Sequence, residues 1–466
     1  MKFIQYYLDC LSHASYLIGD ENSGRAVVVD PQRDVSEYLA DAAELGLHID
    51  LVIETHFHAD FLSGHLELAD ATGATVVYSS VATPEFDYLG VEDGQRYSLD
   101  PAGVTLEFRH TPGHTPESMS VVVYEHPEYA EGSGRAPYGV LTGDTLFIGD
   151  VGRPDLLASI GYSREELAAM LYDSLHQKLM TLPDETRVYP AHGAGSACGK
   201  NLSTELSSTI GDQKRWNYAL NAPDRETFIA LVTEGQPPAP GYFAYDATLN
   251  RKNRALLDED EMPPALSYPQ VMDRLAAGAV LVDGRSPIEF AQGHFRAAIN
   301  IGLEGRYAEF AGSVVTPDND IVLITDPGYE LEGKNRLARI GFDRVIGHLE
   351  NPEQAMLSHP DQVQIASRLS AKDFDQRAAS VPGLQIVDVR NPGEAEAGTI
   401  PGAVNIPVGQ LPDRLAELDS HAPTVVYCAG GYRSSVAASM LRRNGFADVS
   451  DILGGFGAWV EITQNA

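Results

Sequence analysis

The chain has 466 residues, 43% of them hydrophobic and 21% charged. At about 100–200 residues per domain, that length excludes a single small domain and predicts two to four units with separate cores. Lysine and arginine number 33 against 66 aspartates and glutamates, a formal charge of −33. A surface this acidic repels phosphate backbones and anionic lipid, so neither nucleic acid nor a membrane is expected as a partner.

Three cysteines, Cys10, Cys198 and Cys428, are too few for a disulfide framework, so a reducing compartment and free thiols are expected. The opening residues MKFIQYYLDC lack the cationic and apolar regions of a signal peptide. No apolar run reaches the roughly 20 residues of a membrane span. The expectation is a soluble, cytoplasmic protein.

In chain order, VVVD (27–30) and LVIETH (51–56) are apolar runs that stop at polar residues, as buried strands ending at a site would. Between them VSEYLADAAELGL has helical spacing and a capping glycine, Gly46. Further strands are predicted at 74–80, 104–111, 119–125 and 138–144, and helices over 164–182 and much of 203–220. Residues 1 to about 250 therefore form an α/β or α+β unit. The acidic stretch DEDEMPPALS (258–267) reads as a linker. Beyond it LVDGRSPIEFAQGHFRAAINI (281–301) and IVDVRNPGEAEAGTIPGAVNI (386–406) are copies of one pattern. Each continues into an apolar strand, VLIT or VVYC, and then a helical stretch ending in Gly-Phe. A shared order over about 100 residues indicates a duplicated α/β domain, with the second linker near 356–367.

One histidine in a loop is an ordinary residue, but four fragments here place a metal-ligating type just after a strand. They are His56-Phe57-His58-Ala59-Asp60, Pro112-Gly113-His114-Thr115, Gly143-Asp144-Thr145 and Pro190-Ala191-His192-Gly193. Imidazole and carboxylate together suit a borderline transition metal. As a set the fragments resemble the metallo-β-lactamase superfamily, which implies an αββα sandwich with a metal at one edge. Dinuclear hydrolases of that superfamily, such as glyoxalase II, carry a histidine directly after the motif's aspartate, where this chain has Phe61. A phenyl ring cannot donate to a metal, so a mononuclear site is expected.

The persulfide dioxygenase branch binds one Fe(II), and the resemblance places it on His56, His114 and Asp144, with open positions for substrate and O2. It leaves His58, Asp60 and His192 to orient ligands and hold water. His65 reads as a solvated or packing residue. The stretches 149–156 and 194–200 also look like that branch. Arg153 and Lys200 are then cations for the carboxylates of a carrier thiol such as glutathione, although Arg153 also reads as a structural ion-pair residue. Cys198 either forms a transient mixed disulfide or persulfide with substrate or is an inert buried thiol.

Cys428-Ala429-Gly430-Gly431-Tyr432-Arg433-Ser434 lies between the strand TVVY and a helix. A thiol there sits under a helix N-terminus ringed by backbone N–H groups, which favours thiolate. With the preceding DVR and GxIPGAxNIP runs the string resembles the rhodanese family. Four residues separate Cys428 from Arg433, whereas related cysteine phosphatases have five, so the smaller ring suits a sulfane sulfur held by Ala429, Gly430, Gly431, Tyr432 and Arg433. Asp388, Arg390 and Glu394 read as structural ion-pair groups. In the first repeat the thiol position is Asp326, which cannot carry sulfane sulfur.

The expected architecture is α/β. A sandwich domain (1–255) precedes a non-catalytic rhodanese-like domain (262–356) and a catalytic rhodanese domain (362–466), the last two with parallel sheets. The expected chemistry is oxidation of a small persulfide by O2 to sulfite and thiol at one Fe(II) per chain, coupled to sulfur transfer among persulfide, sulfite and thiosulfate through Cys428. The alternative is a Zn-dependent, glyoxalase II-like thioester hydrolase with an accessory sulfurtransferase. A homo-oligomer is compatible with the sequence, which does not specify the number of subunits.

Overall fold

Side chains alternate across the parallel strands Arg25–Val29 and His48–Ile53, and this alternation builds the layers of the first unit. Val27, Val29, Leu51 and Ile53 face inward, where they pack with Leu106, Phe108, Val121, Val123 and Leu141 of a second sheet. Val28 and Val52 face outward onto Tyr38, Ala42 and Leu68, from the helices Ser36–Glu44 and His65–Thr72. On the other side Val122, Val140 and Val188 meet Ala168, Leu171, Phe228 and Val232, from the helices Arg164–Ser174 and Arg225–Thr233. Helix, sheet, sheet, helix is the expected αββα order. The computed structural model describes residues 1–130, 135–156, 161–236 and 238–464, so the last two residues of the third expected domain lie outside the described residues.

The first sheet runs Lys2–Leu8, His13–Asp20, Arg25–Val29, His48–Ile53, Thr75–Ser79 and Leu89–Val91; the second runs Ser208–Thr209, Arg187–Pro190, Gly139–Gly143, Met119–Tyr124, Thr105–His110 and Arg96–Ser98. The opening hairpin Lys2–Leu8 and His13–Asp20 was not among the predicted strands. Its second strand is buried along its whole length, so no alternation marks it. The predicted helix over 164–182 ends as a wider π-helical turn, Leu175–Leu179, and within 203–220 only Ile210–Trp216 is α-helical.

The chain divides into two compact units, one of Met1–Ala239 with Phe243–Leu257, the other of Pro240–Tyr242 with Asp258–Ala466. The second unit contains two five-stranded parallel sheets. One runs Ala265–Leu266, Val345–Leu349, Ile321–Ile324, Val280–Asp283, Ala298–Asn300; the other runs Ser367–Leu369, Val449–Ile452, Thr424–Tyr427, Gln385–Asp388, Val404–Asn405. Strand for strand the order is the same, so the sequence repeat is a repeat of topology. The same residues serve each copy. Asp283 pairs with Arg285 and Asp388 with Arg390, and each arginine also donates to a glycine carbonyl eight residues on. Asn300 and Asn405 each donate to the carbonyls of that Asp and Arg. The stretches read as linkers are structured parts of the first copy. Lys334 donates to the carbonyls of Asp258 and Glu261, and Val363–Gln364 pairs with His294–Phe295.

Candidate metal centre and thiol loop

Strands of both sheets in the first unit end at one edge of the sandwich, and the polar residues that follow them converge there. His56 follows His48–Ile53, His114 follows Thr105–His110, Asp144 follows Gly139–Gly143 and His192 follows Arg187–Pro190. His56, His114 and Asp144 are fully buried, with potential ligand atoms within 4.8 Å of one another. Nε2 of His114 lies 3.4 Å from Asp144 Oδ2, and Nε2 of His56 lies 3.9 Å from it.

The outward ring nitrogens set the tautomers. His114 Nδ1 donates to the carbonyl of Arg153 at 2.8 Å, and His192 Nδ1 to the carbonyl of Ser12 at 3.0 Å. Thr55 Oγ1 donates to Asp30, so at 3.0 Å it accepts from His56 Nδ1–H. All three histidines therefore turn an Nε2 lone pair inward. Burial and the neighbouring imidazoles hold His56 well below the ordinary histidine range, in its neutral, donating form. Both oxygens of Asp144 and the Nε2 atoms of His56 and His192 are buried without a hydrogen-bond partner. Leaving such groups unpaired is costly. A cation among them resolves the cost, and two imidazoles with one carboxylate fit a divalent transition metal.

His58, Asp60 and His192 form a second buried group within the same 4.8 Å limit, with His192 Nε2 3.2 Å from Asp60 Oδ2. His58 differs from the others. Its Nε2 lies 3.1 Å from Asp30 and 3.3 Å from Glu54, and against the opposing effect of burial these carboxylates hold it well above the ordinary histidine range. The Phe61 ring packs on His58, centroids 4.3 Å apart, and on His13 at 3.9 Å. His65 is buried behind Glu54 rather than solvated. Sequence reasoning passed over Asp30, Thr55, Glu54 and Ser12. Asp30 and Ser12 have φ of 51°, in the left-handed region, a backbone cost characteristic of functional sites. The one available signal was the abrupt end of VVV at Asp30.

The two expected substrate cations both have partners inside the fold. Arg153 is fully buried, its Nε and Nη2 donating side by side to Asp155 at 2.7 and 2.8 Å and its Nη1 to the carbonyl of Ala197. The ammonium of Lys200 reaches the carbonyls of Leu231 and Glu234, at the end of the helix Arg225–Thr233. Arg153 is thus held by an anion and a carbonyl inside the fold, and Lys200 by carbonyls at a helix end. Cys198 lies beside Asp144 and His192, its Sγ within the 4.8 Å group. Burial, Asp60 and Asp144 push its thiol well above the usual range.

In the second unit Cys428 is buried at the end of Thr424–Tyr427, and its Sγ accepts from the Gly431 N–H at 3.1 Å. Gly431, with φ of 110°, turns the chain into the helix Tyr432–Arg443. Arg433 makes a two-pronged pair with Glu394 at 2.6 and 2.8 Å. The Tyr432 side chain, expected to line the sulfur site, turns away and donates to the carbonyl of Gly302. No described helix is long and apolar enough to cross a membrane.

The metallo-beta-lactamase superfamily model matches residues 8–128, and the rhodanese-like domain model matches 370–462. Human mitochondrial persulfide dioxygenase ETHE1 is 34% identical over 240 residues, 51% of this chain and 83% of that protein. The bovine protein of the same name is 33% identical over the same coverage. A solved metallo-beta-lactamase from Staphylococcus aureus superposes with a TM-score of 0.66 at 32% identity, over 75% of this chain and 99% of that one. The chain thus belongs to the persulfide dioxygenase family of metallo-β-lactamase-fold proteins, with a rhodanese-like domain fused toward its C-terminal end.

Proposed function

We propose that the first unit oxidises a low-molecular-weight thiol persulfide, glutathione persulfide by family resemblance, with O2 at a single Fe(II), and that Cys428 transfers sulfane sulfur. The observation that carries the first half is the inward convergence of the His56 and His114 lone pairs on Asp144, in a family of persulfide dioxygenases. Bound there, Fe(II) supplies redox chemistry and open positions for the persulfide sulfur and O2. The chain's own groups hold that site. Thr55 and the Arg153 carbonyl fix the ring planes of His56 and His114. The buried Asp30–His58–Glu54 group holds a proton next to the ligands, and Phe61 closes the space a further ligand would need. Persulfide, O2 and water give thiol, sulfite and protons.

In sulfur transfer the Cys428 thiolate attacks the outer sulfur of thiosulfate. A Cys428 S–S bond forms as the S–S bond of thiosulfate breaks, and sulfite leaves with the electron pair. A thiol or sulfite then attacks the outer persulfide sulfur and releases the Cys428 thiolate. The Gly431 N–H is aimed at the reacting sulfur. The first repeat, with Asp326 in place of the thiol, is a non-catalytic rhodanese-like domain.

Metal analysis of protein purified without oxygen tests the reading. One iron per chain is expected, and His114→Ala should lose both the iron and persulfide-dependent O2 uptake. Two tightly bound zinc ions, filling His58, Asp60 and His192 as well, would refute it in favour of a hydrolase.

A further inference from the structure

The catalytic loop contains two adjacent glycines, Gly430 and Gly431, just before its helix. Glycine gives the backbone room to curl round sulfur, but it also gives the loop the most freedom to lose. Something outside the loop must hold the Gly431 N–H on Cys428 Sγ. The side chain next to Gly431 does not face the sulfur. Tyr432 donates from its hydroxyl to the Gly302 carbonyl at 2.6 Å, 130 residues away in the first repeat. Its ring lies so close over Gly305 that a Cβ there would overlap Tyr432 Cε2 and stand 2.6 Å from Cζ. Phe310 packs beside it, centroids 5.4 Å apart. Arg336 fixes the underside of this seat through the carbonyls of Leu303 and Gly305.

The rest of the helix is held the same way. Ser435 donates to Asn300 Oδ1 at 2.7 Å, the Asn300 N–H donates to Ser439 at 2.9 Å, and Arg443 donates to the carbonyl of Ala297. Positions 432, 435, 439 and 443 fall on one helical stripe. Asn300 is itself locked to the carbonyls of Asp283 and Arg285. The first repeat thus presents an edge, 297–305, that grips the catalytic helix along that stripe.

We infer that the first repeat acts as a positioning platform for sulfur transfer, with Tyr432 as the positioning residue that, seated on Gly302 and Gly305, holds the Gly431 N–H on the Cys428 sulfur. The inference rests on the proposed role of Cys428 and assigns a task to a domain that has no chemistry of its own. The hydroxyl of Tyr432 is engaged by the Gly302 carbonyl, so its effect passes through the loop.

The test uses the full-length protein. Tyr432→Phe keeps the ring and removes one hydrogen bond, so thiosulfate:thiol sulfur transfer should fall roughly five- to ten-fold, the scale of one such bond. The rate of Cys428 alkylation by iodoacetamide should fall with it, and its pH profile should move upward, because a thiolate short of one N–H donor forms less readily. The charged neighbours Arg433 and Glu394 are unchanged by the substitution. Gly305→Ala attacks the same seat from the other side, and combining the two should cost less than the product of the single effects, since both act through one contact. Gly305→Ala alone could fail to fold; Tyr432→Phe keeps the test decisive. A Tyr432→Phe protein with wild-type transfer and a wild-type alkylation profile would overturn the inference. Cys428→Ser is the separate control: if it retained transfer, the carrier assignment itself would fall.

Discussion

Replacing Gly152 by alanine would put a methyl group into the tightest part of the metal centre. A Cβ built there would overlap the Asp144 carbonyl oxygen and stand 3.0 Å from Asp144 C and 3.2 Å from His114 Cβ. Real Cβ atoms essentially never come within 3.0 Å of another heavy atom, so the Asp144 backbone must retreat by on the order of 1 Å. Metal–ligand distances tolerate only about 0.2 Å. Asp144 and His114 are both proposed ligands, and the same Arg153 carbonyl that orients His114 is attached to the next residue along. The substitution should therefore cost about 1–3 kcal/mol in stability, as overpacking does. It should also weaken metal binding at least ten- to a hundred-fold, the range seen when the support of a ligand is lost. Iron per chain after dialysis and O2 uptake with added persulfide measure the loss, while sulfur transfer by Cys428 should hold at the wild-type level. Full iron and full O2 uptake in Gly152→Ala would refute the assignment of Asp144 and His114 as ligands.

Cys428→Ser should abolish thiosulfate:thiol transfer, because a hydroxyl is too weakly acidic to accept sulfane sulfur. O2 uptake with added persulfide should persist, and Asp326→Ala should leave both activities nearly intact; transfer retained in Cys428→Ser would move the carrier to Cys198 or Cys10. Acid should weaken the Asp388–Arg390 pair. Although burial opposes it, Arg390 and then Tyr427 hold the Asp388 carboxyl below the ordinary aspartate range. Its contribution to stability is therefore present above the unfolded pKa of about 3.9 and lost as pH falls through the lower folded value. The gap in urea midpoint between wild type and Asp388→Asn should hold steady from about pH 7 to about pH 5 and narrow progressively below that, and a gap that stayed constant into strong acid would contradict the pairing.

The proposed metal ligands were legible in the sequence because each follows a strand. An apolar run broken by His56, His114 or Asp144 marks both the end of a buried strand and the edge where the ends meet. The thiol loop was legible for a similar reason, as Cys428, two glycines and Arg433 fit between one strand and one helix. The duplication was visible because the same Asp, Arg and Asn recur to serve the same local bonds, Asp283 with Arg285 and Asp388 with Arg390. All of this is local order, in which a residue's role follows from neighbours a few positions away.

Partners across the chain followed no such rule. A sequence marks Arg153, Lys200 and Tyr432 as a cation, a cation and a loop residue, and each fits a substrate site as well as it fits a scaffold. Only the folded chain puts Asp155 and Ala197 on the first, the carbonyls of Leu231 and Glu234 on the second and Gly302 on the third. Ser12 and Asp30 carry no motif, yet they orient His192 and hold His58. A charged or hydrogen-bonding side chain settles on the best partner within reach. Which partner that is depends on distances between segments far apart in the chain, such as Ser12 and His192, 180 residues apart, and those distances come into being only when the sheets and repeats pack.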